Sequence, residues 1–161
     1  MMKYFKPLQR ASRGAALVEL VLIAPLTLIV LIGLIEIGRY GDYVIRIANA
    51  ATAGAFYGAQ QPGNAGDFTG MQAAATADAA ALPNISATAT NYCACWAAPT
   101  THFACTVAAT SSCTPAATNH EIAFVSVTVT GSLSSLTNYG FLPASLRSIS
   151  VSRTAVMQVA Q

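Results

Sequence analysis

RGAALVELVLIAPLTLIVLIGLI occupies residues 13–35, and from residue 15 to residue 35 it holds a single ionisable group, Glu19. As an α-helix rising about 1.5 Å per residue, those 21 residues span roughly 31 Å, the thickness of a bilayer's hydrocarbon core. Four cations, Lys3, Lys6, Arg10 and Arg13, precede the stretch with no acid among them, whereas Glu36, Arg39, Asp42 and Arg46 follow it with mixed sign. The positive-inside rule then predicts a cytoplasmic N-terminus and residues 36–161 on the far side of the membrane. A cleavable secretory signal is the simpler alternative. Its apolar region should be only about 7–15 residues long with small residues close behind, whereas the first A-x-A here, Ala48-Asn49-Ala50, lies 13 residues beyond Ile35.

Composition agrees with an anchored globular protein. Of 161 residues, 54% are hydrophobic and only 9% charged, which is too apolar for a disordered chain and is sized for one compact domain. The formal charge of +2 comes from the N-terminus. After residue 14 there are 4 basic and 6 acidic side chains, a balance of −2, and that excludes a basic nucleic-acid face on the body of the protein.

Glu19 sets this anchor apart from a generic one. An ionised side chain within a membrane helix costs on the order of 2.5–3.5 kcal/mol even on lenient insertion scales, and an anchor has no use for it. Cleavage between Gly14 and Ala15 would make Glu19 the fifth residue of the shortened chain and expose a new ammonium one helical turn away. In a bundle of such helices, Glu19 of one subunit can meet the terminal ammonium of its neighbour, so that two costly charges compensate each other in a low dielectric.

On these residues the sequence resembles a known family. A basic residue, Gly, four residues and Glu, leading straight into an apolar helix, is similar to the type IV prepilin processing signal. The fuller stretch R-G-A-A-L-V-E-L-V-L-I-A-P-L (residues 13–26), followed by E-I-G-R-Y (residues 36–40) and an alanine-rich continuation, resembles the TadE-like pseudopilins of tight-adherence (Flp) pilus systems. The resemblance covers roughly residues 13–60. It implies cleavage after Gly14 by a membrane aspartyl prepilin peptidase, with Arg13, Glu19 and Leu20 in the recognition region; Leu20 stands where the family usually has an aromatic residue. It further implies a minor pilin or pseudopilin, with the bilayer, the peptidase, other pilin subunits and the pilus assembly platform as partners. The alternative is an unprocessed single-pass protein with a periplasmic binding or scaffold head.

Beyond the membrane stretch the helical pattern continues. Tyr40, Tyr43, Val44, Ile47, Ala51 and Gly54 recur at three- and four-residue steps, so one helix is expected from about residue 15 to 59, ending before Gln61-Pro62-Gly63. Pro25 removes one internal hydrogen bond, which membrane helices tolerate. Tyr40 and Tyr43 suit an interfacial anchor, and Asp42 and Arg46 are spaced for a surface ion pair. The alanines and glycines of residues 48–59 fit either helix propensity or close packing between subunits.

Residues 64–82 suit a second helix with Asp67 near its start and Leu82-Pro83 closing it. Alternation then predicts strands at residues 85–92, 121–130 and 147–157, and residues 97–118 read as a loop. The expected fold is therefore α+β and type IV pilin-like: a long N-terminal helix, a short second helix and a small antiparallel sheet. Three segments follow from this, a basic leader at 1–14, the membrane and extended helix at 15–60, and an extracytoplasmic head at 61–161 with a cysteine-containing loop at 93–118.

Cys93, Cys95, Cys105 and Cys113 are an even set on the far side of a membrane, which favours disulfides. Cys93 and Cys95 are too close in sequence to bond comfortably with each other, so each is expected to reach Cys105 or Cys113. Cys93, Cys95, His102, Cys105 and Cys113 are also zinc-capable ligands, but not at the spacing of a finger or ribbon; no metal and no cofactor is expected. His120-Glu121 lacks the second histidine of a zincin, and neither G-x-S-x-G nor a phosphate-binding glycine loop occurs. The expectation is a structural protein without catalytic activity.

Overall fold

The computed structural model describes residues 11–105, 113, 120–136 and 148–160, with only the backbone given for residues 11–13. Helix α1 (Ala11–Ala59) is followed by a 3-10 turn (Pro62–Gly66), helix α2 (Phe68–Asp78) and four strands: β1 (Ser86–Cys95), β2 (Ala98–Phe103), β3 (Glu121–Ser134) and β4 (Ser148–Gln158). The strands form one antiparallel sheet in the order β2-β1-β3-β4. The α+β, pilin-like architecture expected from the sequence is the one found. The chain divides into two units, Met1–Arg39 and Tyr40–Gln161.

In the first unit, α1 runs through Pro25 without interruption. The Thr27 hydroxyl donates to the carbonyls of Ile23 and Ala24 at 3.1 and 2.9 Å, so its polar group is satisfied inside the helix. At the end of the unit, Arg39 donates to Glu36 at 3.1 Å, one helical turn apart.

In the second unit, the head, the C-terminal part of α1 lies on the sheet. Tyr43, Ile47, Ala50, Ala51 and Ala55 are buried together with Met71 and Ala75 of α2 and Val125, Val127 and Val129 of β3. Alternation explains β3. Its odd-numbered valines enter the core, whereas Ser126, Thr128 and Thr130 stand on the other face, where the Thr128 and Thr154 hydroxyls meet at 2.7 Å.

The small residues of α1 have their explanation here, within a single chain. A side chain at Gly54 would come 2.8 Å from the Met71 carbonyl oxygen and 3.0 Å from both Ala75 and Val127. Gly58 is likewise closed by Met71 and Val125, and on β3 Gly131 is closed by Tyr43 and Ile47. Close packing between α1, α2 and β3 therefore accounts for these positions. Tyr43 is corrected as well. It is 2% exposed, its hydroxyl donates to the Pro83 carbonyl at 3.5 Å, and burial pushes its phenol pKa up from 10.0, so it is a core residue and not an interfacial anchor. Tyr40 stays exposed.

The second helix is shorter than the sequence pattern implies. Residues 62–66 form the 3-10 turn, and α2 starts only after Asp67. That residue caps the helix, its carboxylate accepting from the Gly70 N–H at 2.9 Å and from the Tyr57 hydroxyl at 2.9 Å. The same carboxylate pushes the Tyr57 phenol pKa up, chiefly through this hydrogen bond. Tyr57 thus stays neutral at physiological pH and keeps donating. The chain then turns through Asn84, in the left-handed region at φ 56°, which asparagine tolerates. At the other end, Val159 N–H donates to Ala123 and Ala160 N–H to Ala59, both at 2.9 Å, tying the C-terminal residues to the sheet and to the end of α1.

Candidate functional site

Two places carry the residues singled out above: the beginning of α1 and the cysteine-bearing end of the sheet.

Gly14, Ala15, Glu19 and Leu20 all lie on α1, and all are exposed. Of Arg13 only the helical backbone is described, and the basic leader residues 1–10, including Lys3, Lys6 and Arg10, lie outside the described residues. Residues 11–14 are already helical, so the Gly14–Ala15 junction lies within α1 and not ahead of it. Ala15 and Glu19 are four residues apart, which stacks them on one face about 6 Å apart along the axis.

The surroundings of Glu19 are uniformly apolar. Leu17, Val18, Leu20, Val21, Leu22 and Ile23 are between 47% and 71% exposed, and the membrane-length apolar window of the helix has no buried residue. A helix with this surface is stable only where apolar matter covers it, either lipid or other helices. Among the described residues Glu19 has neither an ion-pair nor a hydrogen-bond partner, in contrast to Glu36 and Asp42, which meet Arg39 and Arg46 at 3.1 and 2.8 Å. In an apolar medium its carboxylate therefore needs a counter-charge that the described residues do not supply. Gly14 has open space where a side chain would be, so nothing in the packing of the described residues requires glycine there, unlike at Gly54.

In the head, Cys93 is bonded to Cys105 and Cys95 to Cys113. Cys93 and Cys95 are adjacent inward positions of β1, paired with Ala123 and Glu121 of β3. The first bridge clips the chain just after β2 back to β1, and the second pins Cys113, which is 1% exposed. Strand β2 corrects the expectation of a loop over residues 97–118. Its residues APTTHF are exposed nearly throughout and so show no alternation. They are held by pairing with β1 and by the stacking of His102 on Tyr92, ring centres 4.3 Å apart. Residues 106–112 and 114–119 of that segment lie outside the described residues.

The sulfurs of Cys93 and Cys105 and the Glu121 carboxylate lie within 4.8 Å of one another. Those sulfurs offer no thiolate while they are bonded to each other, so this donor set fits a metal only after reduction. The sequence offered Glu121 only beside His120 and did not join it to the cysteines; the register of β1 on β3 brings it there. His120 stacks on Trp96, ring centres 5.5 Å apart, and His102 on Tyr92, which places both histidines in aromatic contacts at the end of the sheet.

The bridges close loops of 12 and 18 residues, for which chain entropy gives about 3 kcal/mol each. The double replacement Cys95→Ala, Cys113→Ala is expected to lower head stability by ~2–4 kcal/mol, measured by denaturant unfolding of the detergent-solubilised protein. Thiol titration of the native protein should detect free thiols only after reductant is added.

A family model described as TadE-like protein matches residues 14–55. The match begins at Gly14 and runs along α1, so the chain is consistent with a TadE-like protein of the tight-adherence system. The α2 helix and the sheet lie outside it. No curated protein and no solved structure matches the chain.

Proposed function

We propose that the protein is a processed, non-enzymatic subunit of a tight-adherence pilus system, a minor pilin or pseudopilin needed to assemble, prime or cap the filament. The observation that carries this reading is Glu19. Among the described residues it is a carboxylate without a partner, on a helix whose apolar surface is otherwise continuous, and it lies within the stretch that matches the TadE-like family. In this reading a membrane prepilin peptidase, working at the cytoplasmic side, cuts between Gly14 and Ala15 and frees the Ala15 amine. The head lies in the periplasm, and α1 passes between bilayer and filament.

The physics of that transfer gives Glu19 its task. Lipid tails are as apolar as leucine, so moving an apolar helix from bilayer to bundle gains little from burial. Van der Waals packing alone would tolerate several registers. A carboxylate on one helix and an ammonium on the next attract strongly only in one register, and there each relieves the other's desolvation.

Gly14 is the direct test. Because open space surrounds it, Gly14→Phe is expected to leave the head folded and to block processing. The chain should then accumulate 14 residues heavier than the processed form, as intact mass spectrometry of the membrane fraction will read. Normal processing of Gly14→Phe would count against a peptidase that requires glycine there.

A further inference from the structure

We infer that the outer edge of β4 takes up an extended strand of another protein, one with an acidic side chain opposite Arg153 and an aliphatic one opposite Met157. The inference uses the head unit alone and goes beyond the processing and assembly roles proposed for α1.

The two edges of the sheet are built differently. β2 and β4 are its outer strands. An edge row of unpaired backbone groups invites pairing with a further chain unless the strand is short, carries proline or is covered. β2 has six residues, Pro99 among them, and the Cys93–Cys105 bridge ties down the chain that leaves it. β4 has eleven residues, no proline and one charge, Arg153. Its register on β3 is continuous from Ser148 to Gln158. The Val159 N–H donates to Ala123, so the odd-numbered residues of β4 turn their backbone groups to β3. The even-numbered ones, Ser148 to Gln158, turn theirs away, and among the described residues nothing meets them. Their side chains are exposed. Ala160, next in that series, already donates to the Ala59 carbonyl at 2.9 Å, which closes the row at this end only.

The core side of the edge sets what can bind. Arg153, paired with Val129, and Met157, paired with Val125, lie on the face of the sheet that holds the core. Arg153 is exposed there and has no ion pair among the described residues. Met157 borders an open apolar hollow of about 480 Å³ together with Ala59, Ala160 and Phe56, the last 57% exposed. A strand laid antiparallel on β4 forms its hydrogen bonds with the even-numbered residues. It therefore faces Arg153 and Met157 in the closer, non-hydrogen-bonded pairs. Its side chain opposite Met157 enters the hollow, and the one opposite Arg153, about 13 Å along, meets the guanidinium. Backbone pairing supplies the affinity and these two positions supply the selection.

Charge complementarity fixes the occupant. A second copy of β4 brings no acid, and pairing centred on the two strands sets Arg153 against Arg153. Like charges directly opposite each other destabilise a sheet. The other edge strand, β2, has no acid either. An arginine on the inward face of an edge strand thus keeps copies of this chain apart, while a carboxylate on a different protein's strand compensates it.

The test is a fluorescence-anisotropy titration of the full detergent-solubilised chain into a labelled synthetic peptide, Thr-Leu-Thr-Val-Thr-Glu-Thr-Val-Thr, and into its counterpart with Lys in place of Glu. The acidic peptide is expected to bind about tenfold more tightly than the basic one. In Arg153→Glu the preference should reverse, a result that misfolding does not produce. Ser152→Pro removes one outward N–H, which an edge strand tolerates. It should abolish binding of both peptides and leave the urea unfolding midpoint near that of the wild type. Equal binding of the two peptides to the wild-type chain, or binding of neither, overturns the inference. Self-association of the wild-type chain in sedimentation that Ser152→Pro removes would put a second copy on the edge, and overturns it as well.

Discussion

Replacing Glu19 by alanine is expected to leave the protein in the membrane and to abolish its incorporation into pili. Insertion should be unchanged or improved, because the substitution removes a group that costs about 2.5–3.5 kcal/mol in a membrane helix. Assembly should fail because the neighbour's terminal ammonium is then buried without a counter-charge. Removing one partner of a buried pair costs about 3–5 kcal/mol, which corresponds to roughly a hundredfold or more loss in the assembled population. Glu19→Gln separates charge from shape, since it keeps the side chain's length and one acceptor oxygen while replacing the other with a neutral NH2 donor. If the register is electrostatic, the glutamine variant must fail as the alanine variant does. Head folding should not respond to either change, because Glu19 does not belong to the head unit. Quantitative immunoblots of sheared pili against total membranes give the measurement, and wild-type incorporation of Glu19→Ala would remove the electrostatic role.

The other large effect lies in the head, at Gly54. Helix propensity alone predicts that Gly54→Ala stabilises the protein by about 1 kcal/mol. The structure predicts the opposite sign. The new methyl would stand 2.8 Å from the Met71 carbonyl oxygen, a backbone atom, with Ala75 and Val127 at 3.0 Å on its other sides. Overpacking of this kind costs typically 1–3 kcal/mol, enough to outweigh the propensity gain. Gly54→Val adds two further methyl groups in the same closed space and should destabilise the head by ~3 kcal/mol or more, a large part of a small domain's stability. Gly41 is the control. It lies on the same helix with nothing within 4 Å of the added atom, so Gly41→Ala should be neutral or stabilising. Urea unfolding monitored by far-UV circular dichroism reads all three, and a stabilised Gly54→Ala would contradict the packing described for α1, α2 and β3.

What the sequence disclosed follows the length scale of each signal. The long helix was legible because hydropathy over residues 15–35 and a 3.6-residue stripe over 40–54 are long, redundant patterns. Strand β3 was legible because three valines alternate with three hydroxyl residues. By contrast β2 was hidden. Its exposed residues carry no alternation, and its place in the sheet depends on partners, Cys93 with Cys105 and Tyr92 with His102, that only the folded chain brings together. The second helix was overextended because the run Ala79-Ala80-Ala81 favours helix beyond its C-terminal end, and at the other end the cap at Asp67 sets the true start.

For the candidate site the split is similar. Gly14, Ala15 and Glu19 are local in sequence and needed no fold to be noticed. Cysteine spacing narrowed the disulfides to two cross-pairings, and the register of β1 against β2 and β3 selected one. The role of the small residues at 50–58 was not decidable from sequence, because propensity, packing between subunits and packing within the head all ask for alanine and glycine. The sheet resolves this in favour of the head, since the valines of β3 and Met71 of α2 occupy the space that larger side chains would need.

The compensation of Glu19 by a newly made amine requires that the amine exist. N-terminal sequencing of the protein recovered from native membranes and from sheared pili examines this directly. The account predicts a chain beginning Ala15-Ala16-Leu17-Val18-Glu19. A mature chain that begins at Met1 or Met2 would contradict it, and would leave a globular head tethered by an unprocessed helix.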